Sequence, residues 1–182
     1  MKWLSISEEI FAAQSDIASA NVDDMDMLKK MVTTTPNKRI RICAHQKSDD
    51  RLHEMLIVIN QESYIRPHKH LNKGESFHII EGMLDVVIFH DDGRIHTVIE
   101  MGGATSGKDF YYRLSAPYFH TLILKTEWVV FHETTNGPFL KDETVYADWS
   151  PEPGDLSLVN QFKKNLEIQI GKYCENISRS YA

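Results

Sequence analysis

From Arg39 to Glu133 the chain alternates apolar and polar residues in short runs, the period of strands whose two faces meet different surroundings. Arg39, Arg41, Cys43 and His45 interleave with Ile40, Ile42 and Ala44. The same pattern predicts strands over 54–59, 76–80, 83–89, 96–99, 110–114, 121–124 and 128–133. Turn residues punctuate them: Glu81-Gly82, Asp91-Asp92-Gly93, Met101-Gly102-Gly103 and Asn136-Gly137. Many short strands joined by glycine turns predict a mainly β fold, either a sandwich or a closed barrel.

Both ends read differently. Ser5 and Glu8 have the spacing of a capping box, and Ile6, Ile10, Phe11, Ile17 and Ala18 recur at helical intervals, which predicts an opening helix. A second helix is predicted over Asp23–Val32, with acids at its start and Lys29 and Lys30 near its end, as the helix dipole favours. Thr33-Thr34-Thr35-Pro36 stops it. Beyond Pro151-Glu152-Pro153-Gly154, Asp155 is placed to cap a C-terminal helix running to about Ile177. The expected organisation is one domain: a helical extension at 1–37, a β region at 38–150, and a second helical extension at 151–182.

Charge and composition then exclude some functions. A formal net charge of -6 argues against nucleic acid, which requires a basic face. No apolar run is long enough to cross a bilayer, so no membrane partner is expected. The opening MKWLSISEEIF lacks the apolar stretch of a secretory signal. Cys43 and Cys174 are far apart and form no CxxC pair; Cys43 reads as an inert buried thiol. The expected setting is a reducing cytoplasm, and the expected partner a small molecule.

The nine histidines change the picture through their spacing. His68 and His70 stand two apart, so on an extended backbone both imidazoles point to one face. A carboxylate from the next strand, Glu75, and a further histidine, His120, can complete a set that holds one divalent cation. An HxH pair alone arises by accident in roughly one chain in two or three of this composition. Requiring the glutamate and then Gly82 at their spacings reduces accident to about a few in a thousand.

His68-Lys69-His70, Glu75 and Gly82 together resemble the first cupin motif, and His120 is similar to the single histidine of the second. More narrowly, Tyr64-Ile65-Arg66-Pro67-His68-Lys69-His70, Glu75-Ser76-Phe77-His78, Asn136-Gly137-Pro138-Phe139 and Tyr146-Ala147-Asp148-Trp149-Ser150-Pro151 look like the WbuC family of cupin-fold metalloproteins. Pro117 departs from the second motif, standing three before His120 where glycine is usual. The resemblance implies a jelly-roll β-barrel with the terminal helices packed on it, and one transition metal (zinc, iron, manganese or nickel) on three histidines and a glutamate. It also implies a homodimer and a setting of cell-surface polysaccharide synthesis.

Other polar residues are weighed by strand parity. His45 and Glu133 are the candidate catalytic bases. Arg41 and Arg66 are candidates for an anionic ligand group, as are Tyr111, Arg113 and Lys141. His78 is out of phase with Glu75 and is expected to face away. Three functions stay open: an isomerase or epimerase of a sugar or sugar-nucleotide, an iron-dependent dioxygenase, and a non-catalytic binding or sensing module.

Overall fold

The structure is a computed structural model that describes residues 2–180, apart from the side chains of Lys141 and Ser180. Strands β1 (Trp3–Ser7) and β2 (Ile10–Ala13) precede helix α1 (Val22–Val32). Next come β3 (Arg39–Cys43), β4 (Leu52–Asn60), β5 (His68–His70), β6 (Glu75–Glu81) and β7 (Met83–Phe89). They are followed by β8 (Ile95–Gly102), β9 (Tyr111–Leu114), β10 (Phe119–Leu124) and β11 (Trp128–Asn136). The short β12 (Thr144–Tyr146) and the long helix α2 (Leu156–Ser180) complete the chain.

Two sheets form, in the orders β1-β2-β3-β4-β11-β6-β9 and β12-β5-β10-β7-β8. The pairings β4–β11, β5–β10, β6–β9 and β7–β8 are nested one inside the next, all antiparallel. A long double ribbon rolled up in this way is the jelly-roll topology. Side chains from both sheets meet in one core: Ile57, Ile59, Phe77, Ile79 and Phe131 from the first, Leu84, Val86, Ile88 and Leu122 from the second.

The sheets also meet at one corner through backbone hydrogen bonds. There Asp109 receives the Gly102 N–H and donates to Glu100, while the carbonyl of Phe110 accepts from Ile79. On the opposite side no ladder joins the sheets among the described residues, and their edge strands there are β1 and β12. The described strands form two facing sheets and not one continuous closed ladder.

Each helix covers one outer face. Leu28 and Val32 of α1 pack with Ile40, Ile42, Val58 and Val130. Leu166 and Ile170 of α2 pack with Val87, Phe89, Phe119 and Ile123. Asp155 caps α2 as expected, its Oδ1 accepting the Leu158 N–H at 3.0 Å.

The opening helix predicted from Ser5 to Ala18 is replaced by a hairpin. Ser7 Oγ accepts from the Glu9 N–H at the turn, and β2 then adds to β3 in parallel. A free ladder edge on β3 supplies backbone partners that an isolated short helix lacks, and tertiary pairing overrides the helical spacing. The hairpin places Trp3 and Phe11 in the core under α1.

Trp3 also fastens the hairpin to the helix. Its Nε1 donates to Asp24 at 2.8 Å, while Asn21 and Asp24 form a reciprocal capping box. Burial works to raise the Asp24 pKa, but hydrogen bonds from Trp3, Asn21 and Lys2 outweigh it and hold the carboxyl below its ordinary value. Stability from a depressed carboxylate is present above the unfolded-state pKa and is lost as pH falls through the folded-state value. Asp24→Asn is therefore expected to melt below the wild type at neutral pH, with the gap narrowing on acidification. Equal melting temperatures at neutral pH would show that these contacts contribute nothing.

Candidate metal centre

Three short strands bring the histidines together. His68 of β5 lies directly opposite His120 of β10 in the ladder, and opposite Tyr146 of β12 on its other side. His70 follows on the same face, so three imidazoles stand on the inner surface of the five-stranded sheet. One nitrogen from each lies within 4.8 Å of the others. Glu75 reaches them from the opposing sheet, where it opens β6. Its Oε1 is 3.0 Å from His120 Nε2, and its Oε2 is 3.6 Å from His70 Nε2.

The remaining ring nitrogens decide what these histidines can do. His68 Nδ1 is 2.9 Å from the Arg66 carbonyl, His120 Nδ1 is 3.1 Å from the Tyr118 carbonyl, and His70 Nδ1 is 3.2 Å from Thr144 Oγ1. A carbonyl can only accept, so both rings carry a proton on Nδ1; His68 Nε2 keeps its lone pair, while His120 Nε2 faces the Glu75 carboxylate and would give up its proton on binding a metal. Metal-binding histidines are oriented in this way by their outer partners. The donor set therefore fits a single transition-metal ion, with a carboxylate to offset its charge.

Electrostatics in the metal-free protein agree. Burial, and then the charge on His120, push His68 down to about 3, so that imidazole is neutral. For His120 burial pulls the other way, but Glu75 outweighs it and raises the pKa. Glu75 is lowered despite its burial because His120, His70 and His68 surround it.

Two inner-face neighbours complete the site. Tyr112 donates its hydroxyl to Glu75 Oε1 at 3.4 Å and packs its ring on Phe77 at 5.4 Å. Glu133 of β11 faces inward between Met55 and Phe77. Burial, and then the negative Glu75, push the Glu133 carboxyl up to about 7.

The other sequence candidates are distributed as follows. Arg41 is on the inner face of β3, opposite the core residue Ile57. Arg66 is held elsewhere: its guanidinium donates to Ser150 Oγ at 3.1 Å, Glu152 at 2.6 Å and the Ala147 carbonyl at 3.3 Å. It anchors the loop before α2, and a role in ligand binding is not where its donors point. Tyr111 and Arg113 pair with His78 and Ser76, on the outer face, and are exposed. They are corrected by one residue, because Tyr112 occupies the inward position. His78 is exposed and faces away from Glu75. His45 stacks on His53 at 4.1 Å with its Nδ1 3.2 Å from the Glu54 N–H nitrogen, and is not among the converging groups. The side chain of Lys141 lies outside the described residues.

Residues 20–101, under half of the chain, match the family described as a domain of unknown function, DUF6016. No curated protein matches the chain. Solved structures with some likeness include protein SO0799 from Shewanella oneidensis, 12% identical over 66% of this chain and 75% of that one, with a TM-score of 0.48. A mutant of Bacillus subtilis oxalate decarboxylase OxdC is 17% identical, covering 53% of this chain and 24% of its own, with a TM-score of 0.43. The Schizosaccharomyces pombe Cnp3 cupin domain is 13% identical over 54% and 64%, with a TM-score of 0.42. The chain thus spans about a quarter of the decarboxylase, and at these values the likeness says nothing of activity.

Proposed function

We propose that the chain is a metal-binding cupin of WbuC type that holds one divalent transition metal on His68, His70, Glu75 and His120. Its substrate would be a small anionic or carbohydrate-related molecule, in cell-surface polysaccharide synthesis. The observation that carries the reading is the convergence of three histidines whose Nδ1 atoms meet acceptors while a buried carboxylate faces them. A bound metal supplies Lewis-acid polarisation of a ligand oxygen.

The chain's own residues do the rest. Glu133 lies on the same inner face and can move a proton to or from a ligand in the cleft. In the metal-free protein its proton is held near neutral pH by burial and the charge on Glu75. Positive charge placed at Glu75 relieves that repulsion and leaves Glu133 a carboxylate, which is the form a base requires. Tyr112 fixes the orientation of Glu75, and apolar walls from Phe77 and Phe131 limit water. This supports proton transfer next to a carbonyl or hydroxyl, as an isomerase or epimerase needs.

Elemental analysis of protein purified without added metal tests the reading. About one metal per chain is expected; a metal-free protein that also takes up no zinc, nickel, manganese or iron on incubation would overturn it. Zinc, nickel or manganese supports the isomerase reading, and iron as the native metal moves it to the dioxygenase alternative. A colourless, inactive, ligand-retaining preparation would point to a sensing module. The homodimer and the cytoplasmic setting belong to the same proposal, and light scattering on the same sample reads the dimer mass.

A further inference from the structure

Two cations near the cleft are left without a partner. Arg39 and Arg41 stand two apart on β3, opposite Ile59 and Ile57, which belong to the core between the sheets. Both side chains therefore leave the sheet on the face that looks toward the histidines. Neither forms an ion pair among the described residues, and the one side-chain partner of Arg41 is Met55 Sδ at 4.0 Å, a weak acceptor.

The nearby acids form no ion pair with them among the described residues. Glu9 and Glu133 are within electrostatic reach of Arg39. Glu9 is already engaged by Asn37, through the backbone N–H at 2.7 Å and Nδ2 at 2.9 Å. Glu133 sits beyond Met55 in the ladder. Burial, and then the like charge of Arg41, lower the Arg39 pKa, although the residue as a whole is exposed. Two guanidinium groups on one inner-facing side of a strand, with no ion pair among the described residues, keep their donors free for an anionic ligand group.

Their strand lies on the side where the two sheets share no ladder among the described residues. Tyr146, directly opposite His68 in the ladder and 6.1 Å from its ring, is also within electrostatic reach of Arg39. Tyr146 thus stands beside His68 and within electrostatic reach of Arg39, and Arg41 lies two residues along β3 against Met55. Tyr146 is 52% exposed, as a residue at a mouth should be.

We propose that Arg39 and Arg41 form an oxyanion subsite at the mouth of the cleft, which takes the carboxylate or phosphate of a ligand whose other end reaches the metal centre. The inference rests on the metal-binding reading above and names the ligand class for that site. Guanidinium forks match both oxyanions by paired N–H donors, which an ammonium cannot reproduce. Tyr146 offers a further hydroxyl beside them.

Calorimetric titration of zinc-loaded protein with inorganic phosphate, and separately with malonate, tests it. One or both should bind at one per chain. Arg39→Gln and Arg41→Gln should each weaken binding about 10- to 100-fold, the loss expected for a charge-assisted contact. Metal content and melting temperature should stay unchanged, because neither arginine is a ligand or an ion-pair partner. Arg41→Lys should restore only part of the affinity. Binding of phosphate alone identifies a phosphate-bearing ligand, and binding of malonate alone a carboxylate; either supports the subsite. The idea is overturned if zinc-loaded wild type takes up neither anion at millimolar concentration, or if both glutamine variants bind as the wild type does. Should the wild type take up none of zinc, nickel, manganese and iron, the metal reading fails by itself; anion uptake by the metal-free protein that both glutamine variants abolish still supports the subsite, and no uptake sinks it.

Discussion

Metal content of the His120→Ala protein is expected to fall from about one ion per chain to near zero at micromolar metal, with His68→Ala and His70→Ala close behind. Removing only an outer hydrogen-bond partner of a ligand typically weakens metal binding about 10- to 100-fold, so losing the ligand itself should exceed that. Among the described residues the converging histidines are these three. His120 is 2% exposed, its ring lies 4.5 Å from His68, and its Nε2 meets Glu75, which loses its nearest partner in the variant. His120→Gln keeps most of the volume and separates loss of the donor from collapse of the cavity. His78→Ala is the matched control, since that imidazole is exposed on the far face of β6. Full occupancy in both His120 variants would remove His120 from the ligand set.

How much of this centre was legible beforehand follows from which relations are local. His68 and His70 share a face by spacing alone, and Glu75 opens the next strand, so their meeting could be read from residues 68–82. The alternation of Arg39 to Cys43 with Ile40 and Ile42 showed the two faces of β3, and both faces are buried by different layers. Parity alone does not say which face of a strand is inner, and on β9 the inward position is that of Tyr112, with Tyr111 and Arg113 on the exposed face. The fate of Arg66 was not legible, because its partners are Ala147, Ser150 and Glu152, more than eighty residues further on. Arg39 carries the same parity signal as Arg41, and the lack of an ion pair among the described residues is what singles it out. At the N-terminus, helical spacing competed with a strand partner that only the tertiary fold supplies.

The largest stability effect is expected at Gly82. This residue is the corner where the chain leaves β6 in one sheet and enters β7 in the other, and its φ of 85° lies in the left-handed region. A Cβ there would stand 2.2 Å from the Trp128 carbonyl oxygen and 2.7 Å from Thr126 Oγ1. Neither can yield cheaply: Thr126 Oγ1 receives the Met83 N–H at 2.9 Å and donates to the Trp128 carbonyl at 2.6 Å, while Trp128 begins the central strand β11. Gly107 provides the comparison, with φ of 75° and nothing within 4 Å of its added Cβ. Gly107→Ala should therefore show the left-handed penalty alone, about 1–2 kcal/mol. Gly82→Ala adds the displacement of a strand backbone and should lose several kcal/mol more, a large part of the roughly 5–15 kcal/mol that holds a domain together. Urea unfolding of the two variants measures the difference directly. Any Gly82→Ala protein that survives should also bind metal more weakly, because the corner sets Glu75 on β6 against His120, whose strand pairs with β7. Equal midpoints for the two variants, with unchanged metal content, would show that the corner can relax and that the close approach to Trp128 does not constrain it.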